Sequence, residues 1–307
     1  MRNRRGQELD GWIVVDKPVG VTSTFVVNKV KRVFNARKAG HSGTLDPLAS
    51  GILPIAFGKA TKTIPYVMDE MKIYHFTLTF GEARETDDAE GAVTQRSDVR
   101  PSDLEISEAL KAFQGDILQI PPIFSAIHVN GQRAYDLARK GETPNMTPRH
   151  AYIDRFRMIN RNSPDEAEFE VISGKGVYMR SLARDLAVAC GSVGYISRLR
   201  RLKVGPFGID KAISLDKIVE TDEKAFASTK MILPVETALD DIPALALTTS
   251  EVIDLKYGRS IDLSHNEDRF LQKDCAQQHN IIRAMSGEQL VGLCRLDDGW
   301  LRPVRLF

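Results

Sequence analysis

A single carboxylate stands in the middle of Gly40-His41-Ser42-Gly43-Thr44-Leu45-Asp46-Pro47-Leu48-Ala49-Ser50-Gly51, framed by three glycines and followed at once by a proline. Pro47 disfavours the helical region for the residue before it, so Asp46 is expected on an extended, stiff turn. The glycines permit positive φ and the close approach of another backbone or a ligand. Such a turn fixes where a side chain points, which a reacting group requires. Ordinary surface turns use the same residue types, so Asp46 gains chemical meaning only from the company it keeps. The chain offers no glycine-rich phosphate loop, no metal-ligand cluster and no Ser-His-Asp arrangement. A glycoside hydrolase built on an Asp nucleophile would want a second carboxylate placed as general acid. No second acid sits in a comparable motif.

The elements around this loop must hold it. Gly11-Trp-Ile-Val-Val15 reads as a short buried strand, closed by Asp16-Lys17-Pro18-Val19-Gly20. Thr22 or Ser23 can cap a helix whose Val26, Val30, Val33 and Phe34 share one face. Ile52 to Gly58 reads as a second buried strand, and 59–68 as a helix with Pro65 awkwardly inside it. From Lys72 to Phe80 the chain alternates, with Tyr74, Phe76, Leu78 and Phe80 on one side and Ile73, His75, Thr77 and Thr79 on the other, the pattern of a half-buried strand. Residues 81–91 read as an acidic loop containing Asp87, Asp88 and Glu90. Ser102-x-x-Glu105 is a capping box that opens a further helix. Residues 119–150, led in by Pro121-Pro122, lack a clear core face and read as an inserted, mobile arm. Ala167, Phe169 and Val171 mark another alternating strand, and Gly174 to Gly176 turns it into a helix over 181–189. Residues 216–242 read as mixed-charge and helical. From about Ile242 the texture changes to short segments separated by Gly and Asp, a small β-rich module.

At 307 residues, 42% hydrophobic and 27% charged, the chain has the composition of an ordinary globular protein of one large domain, or a large one and a small one. No apolar run reaches membrane-spanning length, and the basic N-terminus lacks the apolar segment of a secretory signal. Cys190, Cys275 and Cys294 form no Cys-x-x-Cys pair, which argues against a disulfide framework or a zinc site and points to a reducing cytoplasm. The net charge is only +1, yet Lys29 to His41 carries five basic residues and no acid, and Arg198, Arg200, Arg201 and Lys203 form a second acid-free cluster. Local patches of this kind can bind phosphate without a high overall pI, although solvated helix faces use the same residues.

Taken together, the loop GHSGTLDPLASG, the preceding GWIVVDKPVGVTS, Lys72-Ile-Tyr74, Gly174-Lys-Gly-Val-Tyr178-Met-Arg180 and Leu199-Arg-Arg-Leu202 resemble the TruB family of transfer-RNA pseudouridine synthases, in the family's order over the first two thirds of the chain. The resemblance implies a mixed α+β fold with a central, mostly antiparallel sheet, a catalytic domain over 1–241 with its RNA-clamping insertion at 119–150, and a PUA-like RNA-binding module over 242–307. It implies isomerisation of uridine 55 in the T arm of tRNA, with Asp46 as nucleophile or general base. By the same match Arg180 pairs with Asp46, and Tyr74 stacks on the flipped uracil. Tyr178 lines the pocket within reach of Asp46, Leu199 packs against the base, and His41 supports the rearranged RNA loop. Asp88 orients Arg180 from behind, and Lys17-Pro18 lies near the site. Breaking the C1′–N1 bond and rejoining the sugar to C5 needs no redox change or metal, so no cofactor, no metal, no obligatory protein partner and a cytoplasmic monomer are expected. A pseudouridine synthase for another RNA, and an RNA-folding protein on the same scaffold, are the competing readings.

Overall fold

The alternation along Lys72–Phe80 is the seed of the architecture. Tyr74, Phe76, Leu78 and Phe80 are all buried and face the Met179–Ala189 helix, whose Leu182, Ala183, Leu186 and Ala187 close the other side of the same core. Phe76 stacks on Phe169 of the Glu166–Ser173 strand with ring centroids 5.3 Å apart. The computed structural model describes residues 6–129, 131–221, 231–264 and 281–307, and among these a ten-stranded sheet forms the body of the molecule. Its main path runs Ile213–Ser214, Gly11–Lys17, Ala49–Phe57, Gly194–Val204, Lys72–Phe80, Glu166–Ser173, Arg149–Ser163 and Gly115–Gln119, with Ala39–His41 and Phe207–Gly208 as short side strands. Neighbours are antiparallel except at two places, Gly11–Lys17 with Ile213–Ser214 and Ala49–Phe57 with Gly194–Val204. The mixed, mostly antiparallel α+β expectation is therefore met.

Part of the face turned away from the Met179–Ala189 helix carries a polar row. Ser50, Arg200, His75, Glu170 and Arg157 lie in register on five successive strands. Arg200 forks onto Asp16 at 2.7 and 3.0 Å, while Glu170 joins His75 at 3.1 Å and Arg157 at 2.8 Å. This row corrects the reading of the second basic cluster as a solvated helix face, for Arg200 and Arg201. The cluster lies on a strand, so its members alternate in direction: Arg200 is paired, and Arg201 is buried on the opposite face.

Other local expectations shift for simple reasons. Pro65 sits in the first turn of the Ile64–Asp69 helix, where its missing N–H costs nothing, and a 3-10 turn at Gly58–Lys62 precedes it. Among the described residues of 216–242, helix is found at Leu215–Glu220 and as a 3-10 turn at Val235–Leu239; residues 222–230 lie outside the described ones. The arm has a small core after all, since its Ala134–Arg139 helix buries Ala134 and Leu137. Cys275 lies outside the described residues.

The C-terminal segments form a separate five-stranded sheet in the order Ala244–Ala246, Ile281–Ser286, Gln289–Asp297, Trp300–Leu306, Ile261–Asp262. One side of it closes a local core around Leu245, Leu255, Ile282 and Leu301. From the other, Ala244, Met285, Leu290 and Leu293 join Trp12, Val14, Val204 and Phe207 in a cluster continuous with the back of the large sheet. Lys62 adds a hydrogen bond from Nζ to the Leu306 carbonyl at 2.6 Å.

Candidate active site

The Asp46 loop is tied down from three directions. Thr22 caps the Ser23–Val33 helix by accepting from the Phe25 N–H at 3.1 Å, which leaves the Ser23 side chain turned inward. Buried Ser23 Oγ accepts from the Leu45 N–H at 2.8 Å and donates to the Leu45 carbonyl at 2.9 Å, one residue before the acid. On the far side of Asp46, fully buried Lys17 donates from Nζ to Pro18 O at 2.9 Å, Val21 O at 2.8 Å and Pro47 O at 3.4 Å. Burial pulls its ammonium down to about 8, against the attraction of Asp46. Arg201 completes the set with bonds to the Gly43 and Ile52 carbonyls. The Ala49 N–H returns to the Asp46 carbonyl at 3.1 Å and closes the turn.

The carboxylate emerging from this cradle meets a guanidinium. Arg180 Nε stands 2.9 Å from Asp46 Oδ2, and its Nη1 stands 3.6 Å from Asp88 Oδ2. Arg180 also donates to the Thr86 carbonyl at 3.0 Å and the Phe124 carbonyl at 2.9 Å. The Arg180 side chain is 8% exposed and Asp88 4%, whereas Asp46 keeps 39% of its side chain open. The accessible acid of the network is thus Asp46. Asp88, expected to orient Arg180, is held in turn through its Oδ1, which accepts from Thr86 Oγ1 and from the Glu90 N–H.

Asp46 opens into a cavity of about 520 Å³. Tyr74, Leu199, Tyr178, Arg180 and Asp88 line it, together with Lys72, Arg201 and, from the arm, Phe124, Ser125, Arg133 and Tyr135. Tyr74 and Leu199 are 8% and 9% exposed, so core packing and a pocket wall are the same residues here. Tyr178 precedes the Met179–Ala189 helix, and the Gln119 side chain brackets its backbone, accepting from its N–H at 2.8 Å and donating to its carbonyl at 3.1 Å. Burial, aided by the Asp46 charge, raises the Tyr178 phenol against the pull of Arg149 and Arg180. His41 and Lys17 are not on the cavity wall. His41 Nδ1 accepts from the Gly43 N–H at 3.3 Å, and burial with the nearby Arg201 charge keeps its imidazole below the usual range. Among the described residues no cluster of three His, Cys, Asp or Glu side chains is placed to hold a metal ion.

Sequence reasoning missed the anchors Ser23, Gln119 and Arg201. Only Arg201 carried a usable signal, because it shares its side of a period-two pattern with Leu199.

Residues 31–179 match the TruB family pseudouridylate synthase N-terminal domain, and residues 180–240 the tRNA pseudouridylate synthase B C-terminal domain. The chain is 59% identical to the tRNA pseudouridine synthase B of Gluconacetobacter diazotrophicus over the whole of both chains. It is 48% identical to that of Rhodospirillum rubrum, over 99% of this chain and 98% of the relative. Among solved structures it resembles a chain of a Cbf5-Nop10-Gar1 complex, with a TM-score of 0.72 and 26% identity, covering 97% of this chain and 84% of that one. A chain from an H/ACA RNP bound to a substrate RNA has the same fold at 22% identity, with a TM-score of 0.71 over all of this chain and 91% of that one. On the family domains and the full-length likeness together, this chain belongs to the TruB family of pseudouridylate synthases.

Proposed function

We propose that this protein isomerises uridine 55 of the tRNA T arm to pseudouridine, with Asp46 as the group that meets the flipped nucleoside. The observation that carries the reading is the Asp46–Arg180 pair, with the arginine buried and the carboxylate open to a cavity walled by Tyr74, Tyr178 and Leu199. Its volume lies in the range of sites that enclose small ligands. The relatives named tRNA pseudouridine synthase B support the substrate.

The chemistry follows from the geometry. Extruding a stacked uridine costs a few kcal/mol, which stacking on Tyr74 and contacts from the arm offset. Attack at C6, attack at C1′ and proton abstraction at C2′ all bring one carboxylate oxygen of Asp46 to the glycosidic bond, and Arg180 balances the charge of that oxygen. The C1′–N1 bond breaks, the uracil turns within the closed pocket, C1′ joins C5, and the C5 proton is exchanged for one on N1. Tyr74 holds the detached ring, and Tyr178 closes the wall beside Asp46. Lys17 and His41 act from behind the loop, Lys17 by holding Pro47 and His41 by holding Gly43. Asp88 fixes Arg180.

Residues 1–241 form the catalytic domain in this reading, and 242–307, with their own five-stranded sheet, a PUA-like module that extends the RNA contact. The enzyme works as a cytoplasmic monomer without an obligatory protein partner. No helix among the described residues is long and apolar enough to cross a membrane. Tritium release from transcripts labelled at uracil C5 tests the reaction and its site. Release from tRNA with uridine at position 55, and none with cytidine there, is expected. Equal release from both would move the target elsewhere, and tight binding without release would favour an RNA-folding role.

A further inference from the structure

A loop that carries a reacting carboxylate holds its aim only if its entry and exit are fixed to each other. The Gly194–Val204 strand runs parallel to Ala49–Phe57 just where that loop ends, placing Leu199, Arg200 and Arg201 opposite Ala49, Ser50 and Gly51. Gly51 has φ +103°, and a Cβ there would stand 2.1 Å from the Arg201 carbonyl oxygen, so the two backbones meet at closest approach. The side chains of the two adjacent arginines then part. Arg200 turns to Asp16 on the polar face. Arg201, 2% exposed, turns to the other face, where Nε donates to the Ile52 carbonyl at 2.7 Å and Nη2 to the Gly43 carbonyl at 3.1 Å. Gly43 leads into Asp46 and Ile52 leads away from it. Among the described residues the hydrogen-bond partners of the Arg201 guanidinium are these carbonyls and not an acid.

We infer that Arg201 is a positioning residue for the isomerisation, a staple across the neck of the Asp46 loop that fixes the line along which the carboxylate approaches the flipped nucleoside. The inference rests on the isomerase reading above. A guanidinium suits the task because its planar fork holds two acceptors at a set angle, whereas an ammonium is a single point of donors on a flexible stem. Misplacing a reacting group by about 1 Å can cost on the order of 100-fold in rate with binding left intact.

The test uses the full chain with Arg201→Lys and Arg201→Met. Single-turnover tritium release from saturating C5-labelled tRNA transcript is read beside transcript Kd and the thermal midpoint. Both variants are expected to bind within about threefold of the parent and to turn over about 10- to 100-fold more slowly, with Lys no better than Met. A wild-type rate in Arg201→Lys would overturn the staple, since charge alone would then suffice. Rate, affinity and midpoint collapsing together in both variants would also overturn it, because the side chain would then serve the fold as a whole. Failure of the isomerase reading is distinguishable, since the parent protein would itself release no tritium.

Discussion

Arg180 divides one charge among Asp46, Asp88 and two carbonyls, and of the two acids Asp46 is the accessible one. Replacing it with Met would leave the Asp88 carboxylate buried without its cation, a defect of about 3–5 kcal/mol. Chemical denaturation of Arg180→Met should show that loss, together with loss of turnover. Lys17 makes a prediction with two signs. Its ammonium titrates near 8 in the folded chain against 10.5 ordinarily. As pH rises through about 8 the lysine loses its charge and its grip on Pro47, so turnover should fall. Between the two values the unfolded chain binds the extra proton, so this lysine adds stability as pH rises across the same window. A pH–rate profile that falls while the Lys17 contribution to unfolding stability, read against Lys17→Met, grows would show that the lost activity is not unfolding. At this scale the sequence was legible where residue type and motif coincide, as for Asp46, Tyr74 and Arg180. It was opaque where a charged residue spends its charge on backbone, because Lys17, Arg201 and a solvated cation look alike until strand direction is known.

The elements that matter are a turn, a helix and an arm. The Met179–Ala189 helix carries Arg180 and Arg184, and both reach carbonyls of the arm, Arg180 at Phe124 and Arg184 at Ile120. Gln119 adds its bracket on the Tyr178 backbone. Gln119→Ala should leave those two backbone groups without partners, at about 1–3 kcal/mol. Because the defect is local, faster proteolysis within 119–150 and weaker RNA binding are expected, with the global thermal midpoint nearly unchanged. The Pro-Pro lead-in and missing core face marked the arm in the sequence. Its latch was hidden because glutamine and two carbonyls have no periodicity. Composition alone gave only an acidic loop there: Asp88 is buried through partners that come from a distant helix and its own turn.

At the scale of the whole molecule, two sheets share one apolar cluster. Trp12 and Phe207, with ring centroids 5.0 Å apart, lie on the catalytic side, and Met285, Leu290 and Leu293 on the other. Met285→Asp places a charge in that cluster and should cost more than about 2 kcal/mol. If the cluster couples the parts, the variant should unfold both sheets in one transition at a lower midpoint; separate transitions would show that they are independent. The β-rich C-terminal texture was visible from turn residues and short apolar runs. Its docking was not, because the cluster is assembled from segments nearly three hundred residues apart, from Trp12 to Leu293.

In the proposed reaction Asp46, aimed by its loop and balanced by Arg180, is the reacting group. The most direct test of that role is single-turnover pseudouridine formation by Asp46→Asn on a tRNA transcript bound to saturation. Asparagine keeps the shape of the side chain and removes its charge. No product is expected from this variant, which should still bind the transcript within about threefold of the parent. Product formed at the parental rate would contradict that role.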